Sequence, residues 1–360
     1  MLGLHQNVLV TGGAGFIGSH LVHKLVKEYP ETNFYNLDSL TYASDIGKLD
    51  PLLVFDNYHF IKADLCDREL INELFKELKF DGVFHLAAES HVDNSIANPH
   101  IFLETNVLGT AHLLESTKSL WMTRNIVSGK MELKDEYLAK GARFLHVSTD
   151  EVYGSLEHGS TSSFKETTPY NPNSPYSASK AASDHLVNSY YHTYDVPVVI
   201  TNCSNNYGPW QHREKLIPKV INCLKEGKSV PVYGKGDNVR DWLYVGDHCN
   251  ALITVFLRGG LGEKYNVGGR NEKSNLDLVY QLCDLVEKHL PSATNPCLTN
   301  GQKKEGYRSL ITFVTDRLGH DARYAIDNTK ISAHLDWQPL DDPAKALDLT
   351  VKSYLDNDHD

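Results

Sequence analysis

Eight residues near the start constrain this chain more than any others: Thr11-Gly12-Gly13-Ala14-Gly15-Phe16-Ile17-Gly18. They follow Asn7 to Thr11, an apolar run that reads as a strand. They open Gly15 to Glu28, whose apolar spacing reads as a helix. The run satisfies both G-x-G-x-x-G and G-x-x-G-x-x-G. Glycines Gly12, Gly15 and Gly18 let the backbone approach a pyrophosphate, and the next helix offers its N-terminal amides to it. A glycine pattern alone is weak, but here the strand before it and the helix after it are also written in the sequence.

The same alternation continues. Strands are expected at Phe34 to Asp38, Tyr58 to Asp64, Gly82 to Ala87, Arg143 to Ser148 and Val196 to Asn202, with helices at Asn106 to Ser119 and Pro175 to Tyr194. Strand–helix alternation of this kind gives a parallel sheet covered on both faces. The expected fold class is α/β: a Rossmann-type doubly wound parallel sheet with a smaller mixed α/β lobe. After about Gly208 the rhythm changes. Helices are expected at Glu214 to Leu224, Asp247 to Leu257, Leu276 to His289 and Asp342 to Leu355, with a short strand at Val230 to Tyr233; Ser292 to Gly306 is polar and irregular. This divides the chain into a dinucleotide-binding domain over 1–207 and a mainly substrate-binding lobe over 208–360, interleaved with the first. Residues 121–141 exceed the usual connection length and read as a surface insertion with some helix.

Composition narrows the partners. With 35 basic and 46 acidic residues the formal net charge is −11, which argues against general nucleic-acid binding. No apolar run is long enough to span a membrane, and no signal peptide fits before the first strand. The six cysteines, Cys66, Cys203, Cys223, Cys249, Cys283 and Cys297, form no C-x-x-C pair and fit no zinc pattern, so no metal site is expected. They read as reduced and mostly buried thiols of a cytoplasmic protein.

Three further groups carry chemistry. Asp38 ends the second strand, twenty residues after Gly18. An acid there binds ribose hydroxyls and repels a 2′-phosphate, which favours NAD over NADP. Asp64 suits two roles, reaching the adenine amino group or, with Asp67, capping the following helix. Tyr176 and Lys180 stand four apart, on one face of a helix. The lysine charge favours phenolate, and with a cationic nicotinamide it offers a base for alcohol oxidation. Ser148-Thr149-Asp150-Glu151-Val152-Tyr153-Gly154 places two carboxylates at a strand end, where open α/β sheets bind ligands. They suit either an acid–base pair, one member held protonated by the other, or acids that favour a helix start. A simple dehydrogenase needs the cofactor loop and the tyrosine–lysine pair; the acid pair implies a further proton transfer.

Together with His85-Leu86-Ala87-Ala88-Glu89-Ser90-His91-Val92-Asp93, Asn202 to Pro209 and Arg240 to Val245, these motifs resemble the extended short-chain dehydrogenase/reductases, and more narrowly their nucleotide-sugar 4,6-dehydratases. The resemblance covers nearly the whole chain. It implies a lyase that uses NAD in an internal redox cycle on dTDP-glucose, giving dTDP-4-keto-6-deoxyglucose. Tyr176 would take the 4-hydroxyl proton and Thr149 would position that hydroxyl. Glu151 would remove the C5 proton and Asp150 would protonate the leaving C6 hydroxyl. The resemblance also implies NAD contacts from Phe16, Ile17, Asp38, Asp64, Leu65, Leu86, Ala87, Ala88, Thr105, Tyr176, Lys180 and Asn206. Substrate contacts would come from Ser90, Thr149, Asn205, Lys215, Leu216, Pro231, Tyr233, Arg240, Asn275, Arg317 and His320. It further implies a homodimer through the helices beginning at Asn106 and Pro175, and a role in deoxysugar biosynthesis such as the rhamnose pathway.

The chain departs from the family pattern at Leu318, where a proline is usual, and at His212-Arg213, where an aromatic–proline pair is usual. Rival readings are a UDP-sugar 4-epimerase, a decarboxylase or a UDP-glucose 4,6-dehydratase of the same fold, and a non-catalytic NAD-sensing protein. Asp150-Glu151 argues against the epimerase, since epimerases of this superfamily have small or hydroxyl residues there. A sensing protein need not keep Thr149, Tyr176, Lys180 and the acid pair together.

Overall fold

The computed structural model describes residues 5–316, 320–339 and 342–356. In chain order, β1 (Asn7–Thr11), β2 (Asn33–Asp38), β3 (Tyr58–Lys62) and β4 (Gly82–His85) are followed by a small hairpin, β5 (Met122–Arg124) with β6 (Met131–Leu133). Then come β7 (Arg143–Thr149), β8 (Val198–Cys203), β9 (Asn205–Tyr207), β10 (Val230–Tyr233), β11 (Val239–Tyr244), β12 (Lys264–Val267), β13 (Glu272–Ser274) and β14 (Ile311–Val314). Seven of these form one parallel sheet in the order β12-β8-β7-β4-β1-β2-β3. The order reverses direction between β1 and β4, and a ligand crevice opens at such a switch point beyond the strands' carboxyl ends.

Alternation along each central strand feeds two apolar layers. Val8, Val10, Phe84 and Leu145 face the helices Phe16–Glu28 and Val245–Arg258, against Leu21, Leu25, Leu252 and Phe256. Leu9, Val83 and Phe144 face the other way, onto Phe75, Leu113, Leu114, Trp121 and Val187. A third core joins the helices Leu216–Lys225, Asn275–His289 and Pro343–Asp356 through Ile221, Leu282 and Val351.

The chain interleaves more than a cut at 208 suggests. β12 and the Val245–Arg258 helix lie beyond that point yet complete the large sheet and one of its faces. The remaining strands make a three-stranded sheet, β13-β11-β9, and a parallel pair, β10-β14. Several expectations shift. The third strand ends at Lys62 rather than Asp64, and the fourth at His85 rather than Ala87. Residues 292–306, expected to be irregular, hold a short helix at Asn300–Glu305, closed by a Thr299–Gln302 capping box. The helix expected from Asn106 starts at Pro99 and passes through a π-helical turn, Leu103–Gly109, before continuing to Trp121. The 121–141 insertion is the β5–β6 hairpin followed by the helix Asp135–Lys140. Of the six thiols only Cys203, Cys249 and Cys283 are buried; Cys66 and Cys297 are exposed.

Candidate active site

A cavity of about 500 Å³ opens at the switch point. Its floor is the glycine loop. Gly12 has φ +74°, and a Cβ there would lie 2.7 Å from the Ala87 backbone; a Cβ on Gly18 would run into the Gly12 carbonyl. Only glycines let the β1 loop, the first helix and the β4 loop come this close. Asp38 is locked at the end of β2: its Oδ2 accepts the Ala14 amide at 2.9 Å, and its Oδ1 accepts the Leu40 amide and the Ser44 hydroxyl, both at 2.8 Å. The two roles open to Asp64 separate here. Asp67 caps the helix Arg68–Leu78 by accepting the Leu70 amide. Asp64 instead accepts the Cys66 amide and lines the cavity.

Every residue expected to contact the cofactor lines this one cavity: Gly12, Gly15, Phe16, Ile17, Gly18, Asp38, Asp64, Leu65, Leu86, Ala87, Ala88, Thr105, Tyr176, Lys180 and Asn206. An elongated groove with a glycine floor, a helix N-terminus and a locked carboxylate fits a dinucleotide.

The reactive groups stand at its inner end. β7 stops at Thr149, and Asp150–Tyr153 turns into a 3₁₀ helix, so Thr149 and Glu151 both reach the cavity. Thr149 Oγ1 accepts the Glu151 amide at 3.3 Å. Asp150 lies behind the wall, 1% exposed, and its Oδ2 has no hydrogen-bond partner. Burial, then the Glu151 and Asp241 carboxylates, hold its pKa well above the usual range; Arg240 pulls the other way. Burial and both carboxylates thus favour the protonated form of Asp150. Asp150 and Glu151 also begin the 3₁₀ turn.

Tyr176 and Lys180 come from the helix Pro175–Tyr194, started by Pro175 and a Ser174–Ser177 capping box. Lys180 Nζ donates to the Val147 carbonyl of β7 at 2.9 Å. The expected bias of Tyr176 toward phenolate is reversed in the protein by itself. Burial, then Glu151, push its pKa well above the ordinary phenol value, and a hydrogen bond with Thr149 only partly offsets them. A cationic ligand in the cavity would act against that shift.

The substrate side is less unified. Ser90, Thr149, Asn205 and Lys215 line the cavity, whereas Leu216, Pro231, Tyr233, Arg240, Asn275 and His320 lie outside its lining. Arg240 is buried, stacked 4.3 Å from the Tyr324 ring and donating to the Val239 and Asp321 carbonyls. His320 Nδ1 pairs with Asp316 at 2.7 Å, and its ring stands 6.5 Å from that of Tyr233. Leu216 and Asn275 begin their helices, and Pro231 sits in β10. Arg317 and Leu318 lie outside the described residues.

Sequence reading missed Asn106 and, at the mouth of the cavity, the pairings that hold the expected Ser90 and Lys215 together. Asn106, on the π-helical turn, accepts the Glu89 amide at 2.8 Å and donates to the Glu89 carbonyl and to the Ser179 hydroxyl. It ties the β4 loop to the Tyr176 helix. At the mouth, Glu214 Oε2 lies 3.6 Å from His91 Nε2 and 3.5 Å from His212 Nδ1, and Lys215 Nζ donates to the Ser90 carbonyl. Trp210 stacks on His20 of the first helix, with ring centroids 4.7 Å apart. Apart from His212 and Glu214, none of these pairs is near in sequence, so no local pattern signals them. Among the described residues no cluster of His, Cys, Asp or Glu could hold a metal ion, and no helix is long and apolar enough to cross a membrane.

Sheet, glycine floor and Tyr176–Lys180 pair define a class: enzymes of the extended short-chain dehydrogenase/reductase type. Residues 9–343 match the family described as GDP-mannose 4,6 dehydratase. A dTDP-glucose 4,6-dehydratase of Salmonella typhimurium is 48% identical over 359 residues, covering 98% of this chain and 93% of that one. The dTDP-glucose 4,6-dehydratase of Streptomyces venezuelae, solved with NAD, superposes with a TM-score of 0.83 at 39% identity and covers 98% of each chain. A UDP-glucose 4-epimerase of Thermus thermophilus in complex with NAD reaches 0.77 at 27% identity, covering 97% of this chain and 99% of that one. Fold alone therefore does not separate dehydration from epimerisation. The chain belongs to the nucleotide-sugar 4,6-dehydratase family, among the dTDP-glucose 4,6-dehydratases.

Proposed function

We propose that this enzyme dehydrates dTDP-glucose to dTDP-4-keto-6-deoxyglucose, with NAD regenerated in the site. One observation carries the reading: a buried Asp150, its pKa raised by burial and by Glu151, adjoins Glu151 in a turn that also presents Thr149 beside Tyr176. An epimerase needs one base for one alcohol; an elimination needs a second base and an acid.

NAD, when bound, supplies a hydride acceptor for C4 and then the hydride returned to C6. The chain's own residues move the protons. Tyr176 takes the proton of the 4-hydroxyl, Thr149 orients that hydroxyl, and Lys180 favours the phenolate. The 4-ketone acidifies C5–H. Glu151 takes that proton, the C6–O bond breaks, Asp150 protonates the departing hydroxide so that one water leaves per sugar, and Glu151 gives its proton back to C5 when C6 is reduced. Gly12 to Gly18 would cradle the pyrophosphate, and Asp38 would hold the adenosine ribose hydroxyls. Lys215, Arg240, Arg317 and His320 would serve the nucleotide diphosphate, with Asn205 and Ser90 nearer the sugar.

We assign the working form as a cytoplasmic homodimer. Ile101, Leu103 and Leu108 are exposed on the helical run that precedes Trp121, and burying them against a second copy removes apolar surface from water. Sedimentation at micromolar protein tests this, and a monomer overturns it.

The activity is tested by incubating the enzyme with dTDP-glucose and with UDP-glucose, followed by mass spectrometry. Loss of one water from the dTDP sugar is expected. Unchanged mass with an altered sugar identifies an epimerase, and preferential loss from the UDP sugar reassigns the base.

A further inference from the structure

Tyr176, Lys180 and Asp184 stand at successive four-residue steps on one face of the Pro175–Tyr194 helix. Asp184 does not line the active-site cavity, and it is 2% exposed. A lone carboxylate is not buried without partners. Asp184 Oδ2 accepts the Tyr170 hydroxyl at 2.8 Å and the Asn202 amide at 3.2 Å, and its Oδ1 lies 3.1 Å from His146 Nε2. The Asn202 amide nitrogen also lies 3.2 Å from the Thr149 carbonyl. The carboxylate therefore ties the Tyr176 helix to β7 and β8 directly behind the reactive turn.

We infer that Asp184 is the buried counter-charge of Lys180, a positioning residue that keeps the lysine charged and so sets the basicity of Tyr176. This rests on the dehydratase reading of Tyr176 and Lys180. Lys180 is 4% exposed, and burial alone favours its neutral form. The groups facing it decide whether it stays charged. On its own helix stand Tyr176 and Asp184. From β4 and β7 come His85 and His146, both held neutral by burial, His146 at a pKa of about 4. From the turn come Asp150, whose pKa burial raises, and Glu151, which faces the cavity. From β8 comes Cys203, whose thiol is pushed up to about 12. Tyr170 is a neutral donor, and beyond it Lys264 lies 4.5 Å from the Tyr170 ring centroid. Against burial, Asp184 and then Cys203 raise Lys180; with the Cys203 thiol pushed up by its own burial, Asp184 is the carboxylate that does so, and its own pKa is lowered by His146, Lys180 and Tyr170.

Asp184→Asn keeps the shape and removes the charge. Lys180 then loses its proton at lower pH, so the alkaline limb of C4 oxidation moves down by at least about one pH unit, and the rate at any pH on that limb falls about tenfold. Tyr170→Phe removes one bond to Asp184 but leaves its charge; the limb should stay in place even where thermal stability drops. An Asp184→Asn limb at the wild-type position overturns the inference and leaves Asp184 a packing residue. If that variant does not fold, ¹⁵N NMR of the lysine Nζ in the intact enzyme decides: Lys180 is expected to be protonated at pH 8, and a neutral Lys180 overturns the assignment. That titration is readable whether or not dTDP-glucose is dehydrated, so failure of the functional reading shows separately in the product mass.

Discussion

The two ends of the cavity are built differently. The cofactor end rests on strand ends of one parallel sheet: the Gly12 loop after β1, Asp38 at the end of β2, Asp64 just past β3 and Leu86 to Ala88 past β4. Each position is one short step beyond a strand locked in register by its neighbours. The substrate end hangs from loops. Ser90 and His91 meet Glu214 and Lys215 across more than a hundred residues of chain, and Trp210 pins the second loop to the first helix. A sheet fixes where its ends point, whereas a loop is placed by what it touches. The first end should therefore respond to substitution with abrupt loss, and the second with graded changes of affinity.

The largest effects are expected where both ends converge. Tyr176→Phe should stop every step, because the first proton has no acceptor. Glu151→Gln and Asp150→Asn leave Tyr176 and Lys180 in place. They should cut loss of water by about 10²–10⁴-fold while sparing C4 oxidation, so that reduced cofactor and 4-keto-glucose build up in the site. Rapid-quench product analysis with absorbance at the NADH band checks this. If Glu151→Gln dehydrates at the native rate, the acid pair is a helix start and nothing more. In the intact enzyme no free NADH should accumulate, and release matching product would indicate a simple dehydrogenase.

Gly12→Ala probes the cofactor end alone. The residue would be held at φ +74° with its Cβ against the Ala87 backbone, which has no flexible end to give way. Strain of about 1–3 kcal/mol is expected, or about 5–150-fold in NAD affinity. Titration calorimetry with NAD measures it. A variant that binds NAD normally would show that the β1 and β4 loops are as adaptable as the substrate end, and the contrast between the two would fail.

The same contrast explains what was legible beforehand. The glycine run, Asp38 and the tyrosine–lysine spacing are local patterns, each tied to a strand or helix visible through its own periodicity. The large sheet was therefore readable through β8. Its edge strand β12 was not, because Lys264-Tyr265-Asn266-Val267 is short and takes its direction from pairing with β8. The π-helical turn that presents Asn106 has no sequence signal, since it follows from the fit of one helix against another. Asp150 could be named as a proton donor only as one of two readings. Burial, then the Glu151 and Asp241 carboxylates, raise its pKa, which supports the donor role proposed for it.

Substitution of Arg240 tests the substrate end at a buried point. Its guanidinium is planar, stacked on Tyr324, and holds the Asp321 carbonyl from one side. Arg240→Lys keeps the charge but loses the stack and the fork of donors. KM for the nucleotide sugar should rise by about 10–150-fold, as for a charge-assisted hydrogen bond of about 1.5–3 kcal/mol, while NAD affinity stays unchanged. Coupled loss of NAD affinity would mean that the two ends are one unit.

The smallest effect is expected at the mouth, from His212→Phe, and its sign depends on pH. Burial is the main cause holding the His212 pKa below its ordinary value; Glu214 pulls it up, and Arg213, Lys215 and Lys48 side with burial. At pH 7 the imidazole is therefore neutral, and its 3.5 Å approach to Glu214 carries little charge attraction. As pH falls through the lowered pKa the ring gains a charge that its surroundings disfavour, and the loop that carries Lys215 loosens. Phenylalanine cannot do this. KM should match wild type at pH 8 and diverge as the imidazole takes up its proton, by no more than about fivefold for a partly exposed charge worth about 0.2–1 kcal/mol. A KM difference that is the same at pH 8 and pH 5.5 would mean that His212 acts by shape, and that the substrate loop is set by packing like the sheet end rather than by the charges it meets.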